Sequence, residues 1–141
     1  RITGFQETEE GRYLLELRGI CRFNVSEELE LRDGYRRVRP DFTPYHLDLS
    51  PAEEVEIERD RLLSGLKGYF EQQNIGADWD SLIKTPDERL VTTLSMVCPF
   101  DPAEKQVLLE ADDLAQRCKL LIGFVESALR ADNDNGNTAL N

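Results

Sequence analysis

Three tetrapeptides of one pattern constrain this chain more than any other feature: Ser50-Pro51-Ala52-Glu53, Thr85-Pro86-Asp87-Glu88 and Asp101-Pro102-Ala103-Glu104. In each, a short oxygen-bearing side chain can cap a helix and proline fits the first helical position, where its missing N–H costs nothing. Glutamate two residues after the proline can reach back to the cap, completing a capping box. The pattern predicts helix starts. It also answers the obvious question about Asp101, Lys105 and Glu104 so close to Cys98: the spacing favours helix initiation over a catalytic or metal site. Helices are expected from Pro51 to Gln73, around Trp79, Leu82 and Ile83, from Pro86 to Val97, from Pro102 to about Ala111, and from about Asp113 to Arg130. In the first of these, Val55, Arg59, Leu62, Leu66, Tyr69 and Phe70 fall near one face. Cys118 falls in step with Leu114, Leu121, Ile122, Val125 and Leu129, an apolar stripe in which a thiol acts as a small hydrophobe.

The first 49 residues read differently. Strands are expected over Arg1 to Gln6, Arg12 to Arg18, Ile20 to Ser26 and Tyr35 to Phe42, with Asp33-Gly34 as a hairpin turn. Pro40 and Pro44 push the last of these toward a sheet edge. The alternation of Tyr13, Leu15 and Leu17 with Leu14, Glu16 and Arg18 predicts a small curled sheet that buries parts of both faces. The fold class is therefore α+β. The expected domains are a β-subdomain at 1–49, a helical subdomain at 50–131 and a disordered tail rich in Asn and Gly at 132–141. A chain of 141 residues can build one full core. Arg1 in place of a starting methionine reads as a processed or incomplete start.

Charge and cysteines narrow the function classes. Net charge is −11; residues 1–50 carry eight arginines against ten acids, and the excess of acid lies in the second half. An acidic surface repels phosphate backbones, so no nucleic-acid partner is expected; Arg32, Arg36, Arg37 and Arg39 are expected to pair with neighbouring acids or lie in solvent. Cys21, Cys98 and Cys118 are odd in number and widely spaced, which argues against a disulfide framework or zinc site and for a reducing, cytoplasmic compartment. In that compartment the Asn24-Val25-Ser26 sequon carries no meaning. No apolar run is long enough to span a bilayer.

Catalytic patterns are few. Gly65-Leu66-Lys67-Gly68 lacks the spacing and hydroxyl of a phosphate loop, and neither G-x-G-x-x-G nor G-x-S-x-G occurs. The one histidine, His46, could form a dyad with Cys21 or Cys98, but a lone histidine at a strand end reads better as a surface residue. Asp78-Trp79-Asp80 has the form of a sugar-nucleotide D-x-D and reads better as a helix cap beside a buried tryptophan. The expectation is no enzyme, with no catalytic, cofactor-binding or metal residues and no cofactor.

Lys105-Gln106-Val107-Leu108-Leu109-Glu110 is followed by Arg117 and Leu121. With the order of segments in the helical half, this resembles the K-Q-x-L-L-E…R-x-x-x-L junction of the LON domain, the N-terminal substrate-recognition domain of the Lon protease. Gly19-Ile20-Cys21-Arg22-Phe23 looks like its G-x-x-R-h strand, where h is apolar. The resemblance covers roughly 1–130 and rests mostly on packing motifs. It implies a PUA-like β pseudo-barrel, incomplete because the family's opening strands and early h-P-L-x-x-x-h-h-P segment are missing, followed by a helical bundle. The missing strands imply an open sheet edge through which the chain could self-associate. The ending in Asn133-Asp134-Asn135-Gly136-Asn137 implies a stand-alone bacterial LON-domain protein of the peptidase S16-like kind, without ATPase or protease modules. The function implied is non-catalytic recognition of unfolded or degron-bearing polypeptide; the partners implied are polypeptide substrates or a protease or ATPase, with no membrane. Candidate contacts are aromatic residues left exposed among Tyr13, Tyr35, Phe42 and Tyr45. The alternative is a PUA-like small-molecule or RNA-binding module.

Overall fold

The computed structural model describes residues 1–50 and 55–138, with 132–138 described by backbone only. The chain divides into two compact units, Arg1–Ala52 and Glu53–Asn141. The first holds two separate antiparallel hairpins, β1 (Ile2–Glu7) with β2 (Tyr13–Leu17) and β3 (Asn24–Arg32) with β4 (Tyr35–Asp41), then a 3-10 helix at Thr43–Leu49. The second is helical: α1 (Arg59–Gln72), α2 (Trp79–Lys84), α3 (Asp87–Val97), α4 (Pro102–Glu110) and α5 (Leu114–Thr138). Two small antiparallel sheets followed by helices make the chain α+β, as expected from the sequence.

The hairpin turn at Asp33-Gly34 forms as its dipeptide dictates. Both residues have positive φ, 51° and 84°, which matches the right-handed twist of the flanking strands. Around it the boundaries shift. The strand expected at Ile20 to Ser26 is instead β3, starting at Asn24 and running through Glu27, Glu28 and Glu30, residues whose charge masked a strand from propensity. Cross-strand pairing compensates: Glu27 lies opposite Arg39 and their side chains meet at 2.8 Å, while Glu28 takes Arg36 at 2.8 Å. Gly19 to Phe23, which looks like a family strand, is not extended into a ladder. Its Arg22 N–H and guanidinium both donate to Asp48, so that backbone N–H is already engaged. Pro40 sits opposite Val25 beside a register shift, where its missing N–H breaks no regular ladder bond.

The expectation that the sheet buries parts of both faces fails in this unit. A two-stranded hairpin has no second layer to pack on, and Tyr45 is the one buried apolar residue among the described residues of 1–50.

The helical unit holds the core. On α1, Leu62, Leu66, Tyr69 and Phe70 are buried; α3 contributes Leu90, Val91 and Leu94, α4 Leu108, and α5 Cys118, Leu121, Ile122 and Val125. These are the 3.6-residue stripes expected from the sequence, with Leu114 and Leu129 packed at the margin. Aromatic rings extend the core in a chain from Phe70 on Trp79 to Tyr69 on Phe100 and Phe100 on Phe124, at centroid separations of 5.7–5.8 Å. Helix α1 ends on Asn74 in the left-handed conformation (φ 53°), with Ile75 N–H reaching back to Phe70 O and Asn74 N–H to Glu71 O, a Schellman closure.

The three capping tetrapeptides have three fates. At Asp101 the capping box forms in full: Asp101 accepts from Glu104 N–H and Glu104 from Asp101 N–H. At Thr85 it does not, because Thr85 directly follows α2 and its hydroxyl donates back to Ser81 O; Pro86 starts α3 without a side-chain cap. The start expected at Pro51 falls on 51–54, outside the described residues. The helix itself begins later, at Arg59, where its inward stripe starts and the Arg59 guanidinium is held by Asp87. Helix α5 runs to Thr138, past the end near Arg130 that residue type suggested. Elongation from an already packed helix adds one bond per residue without a new nucleus, and so tolerates poor helix formers.

Two glycines separate close packing from mere propensity. A Cβ at Gly65 would lie 3.1 Å from Val125 Cγ1, whereas a Cβ at Gly123 would meet nothing within 4 Å. Val125 is β-branched and cannot swing aside. Gly65→Ala is expected to destabilise by about 1–3 kcal/mol through overpacking, and Gly123→Ala to stabilise by about 0.5–1 kcal/mol. Asp101→Ala is expected to cost about 1 kcal/mol. Denaturant melts of the three variants check these values, and a stabilising Gly65→Ala would show that α1 and α5 are not in tight contact.

Candidate functional site

The exposed apolar surface of the first unit follows from strand register. Phe5 lies opposite Leu15, Glu7 opposite Tyr13 and Ile2 opposite Leu17, and residues directly opposite share a face. One face of the β1–β2 hairpin therefore carries Phe5, Tyr13, Leu15 and Leu17, with Ile2 brought to it by the register shift before Gly4 and Glu7 at its end, and the five apolar residues are all more than half exposed. Phe5 and Tyr13 rings meet at 6.0 Å. Each strand pairs on one side only among the described residues, leaving outer N–H and C=O groups available. A shallow open depression of about 540 Å³ lies at the turn of this hairpin, between Thr8 and Leu14.

Of the four aromatic residues singled out by sequence, Tyr13, Tyr35 and Phe42 are exposed, and Phe42 packs edge-on to Phe23 at 5.9 Å. Tyr45 is buried, with the Arg22 guanidinium 4.4 Å above its ring. Arg22 is held in turn by Asp48, whose hydrogen bonds raise its pKa further. This cluster is a tether between 22 and 48. Sequence reasoning missed Ile2, Phe5, Leu15 and Leu17 as surface residues, although the alternation at 13, 15 and 17 already placed three of the five on one face.

The arginines of β3 and β4 are mostly engaged as expected. Arg36 pairs with Glu28, Arg39 with Glu27 and Arg32 with Asp33, and the first of these pairs holds the Glu28 carboxyl below its usual range.

Residues that suggested chemistry are committed elsewhere. His46 is exposed, with Nδ1 3.0 Å from Thr43 O. Cys21 Sγ donates to Arg22 O and Tyr45 O. Cys98 and Cys118 are buried in the helical core, and burial pushes the Cys98 thiol up to about 11 and raises that of Cys118. Asp78 caps α2, accepting from Ser81 hydroxyl and N–H, and these bonds lower its pKa. Its neighbour Trp79 is half-buried against Phe70. Among the described residues no group of three or more His, Cys, Asp or Glu is placed to hold a metal ion, and no helix is long and apolar enough to cross a membrane.

The residues of the K-Q-x-L-L-E…R junction have structural work. Lys105 Nζ donates to Met96 O in the last turn of α3, and Arg117 Nε donates to Leu108 O in the last turn of α4. Each cation satisfies a carbonyl that the end of a short helix leaves without an intrahelical partner. The thiols give a direct check on these assignments. With a pKa of about 11, Cys98 is about one part in a thousand ionised at pH 8. Iodoacetamide at that pH is expected to label Cys21 in the native protein, and Cys98 and Cys118 only after denaturation. Fast native labelling of Cys98, read by peptide mass mapping, would contradict its burial.

None of the curated proteins compared matches the chain. The family model of the ATP-dependent protease La (LON) substrate-binding domain matches residues 1–127 of the 141. With the two hairpins ahead of the helical bundle and the K-Q-x-L-L-E…R junction locking the last helices, the chain belongs to the LON substrate-binding domain family.

Proposed function

We propose that this domain binds polypeptide, unfolded or degron-bearing, through the exposed surface of its β-subdomain, and that it catalyses no reaction itself. The observation that carries this reading is the apolar face of the β1–β2 hairpin, where Phe5, Tyr13, Leu15 and Leu17 stand in solvent on strands with open edges. An extended segment can add to such an edge by main-chain hydrogen bonds while its alternate side chains meet the apolar face. Family membership supports the same reading, because the LON domain is the substrate-recognition part of the Lon protease. In this division of labour residues 1–49 carry the contact surface and 50–131 form the scaffold, with an ATPase or protease partner acting on what is held. The non-catalytic reading is supported by the commitment of Cys98 and Cys118 to the core and of Asp101, Glu104 and Asp78 to helix caps. Reduced, widely spaced cysteines support a cytoplasmic location.

Phe5→Asp and Leu15→Asp each place a charge on the apolar face at a site that is already solvated, so folding should survive. Burying either native side chain against a bound peptide contributes about 1.5–3 kcal/mol. Each variant is therefore expected to weaken binding of apolar extended peptides at least tenfold, since about 1.4 kcal/mol is a factor of ten. Fluorescence titration against a peptide panel, with circular dichroism as the folding control, checks this. Binding of the native domain should change little between low and high salt. Unchanged affinity in folded variants, or steeply salt-dependent binding to RNA in place of peptide, would overturn the reading.

A further inference from the structure

We draw no further inference here: the strongest candidate outside the β-subdomain, the exposed apolar surface of Met96 and Val97 at the end of α3, carries nothing because nothing in the structure shows what covers it.

Discussion

The helical unit depends on the close approach of α1 and α5, which glycine makes possible. Gly65 faces Val125 and Gly68 faces Leu129, and in both places even a methyl group would crowd the opposing side chain. With the backbones that near, Leu62 and Leu66 on one helix and Leu121 and Val125 on the other are almost wholly withdrawn from water. Removing a leucine or valine side chain from water contributes roughly 1.5–3 kcal/mol. The remaining helices are too short to be stable alone and exist because this pair gives them a surface to pack on.

Short helices create a second problem, which cations solve. Each helix leaves its last carbonyls without intrahelical partners, and α2, α3 and α4 have few turns over which to spread that cost. Arg59, at the start of α1, donates to the carbonyls of Leu82, Ile83 and Thr85 around the end of α2. Lys105 does the same for α3 and Arg117 for α4. Placing cations at the negative ends of helices is also favourable to the helix dipole. Among the described residues no acid of this half is buried, and Arg61 gathers Glu58 and Glu126 at the α1–α5 margin.

What could be read from sequence was whatever a residue decides locally. Asp101 with Glu104, Asp78 before Trp79, and Asp33-Gly34 each fix their own few bonds and formed as read. Identical local signals failed where a neighbour competed: Thr85 has the right residue type to cap α3, but α2 ends on it and claims the hydroxyl. Arg59 looked like part of an apolar face because its stem lies in step with Leu62 and Leu66. Its role as a clamp rests on Asp87 and three carbonyls more than twenty residues away, which no local pattern encodes. The continuation of β3 past Ser26 was hidden for a related reason, since Glu27 and Glu28 meet their partners Arg39 and Arg36 only across the hairpin.

The two units carry the burden of folding unequally, and the difference explains why the family resemblance identifies a fold more readily than an activity. Lys105, Leu108 and Arg117 are recognisable in sequence because core burial and helix-end closure tolerate few substitutes. The hairpin faces obey a looser rule: alternation must present apolar groups on one side, and many residues satisfy that. Surface ion pairs such as Glu27 with Arg39 add little stability, typically less than about 1 kcal/mol. The strand unit therefore lacks a core of its own and keeps its apolar groups on offer. On the proposed reading, such a surface would select by apolar character and extended shape, through the side chains a bound segment places along Phe5, Tyr13, Leu15 and Leu17.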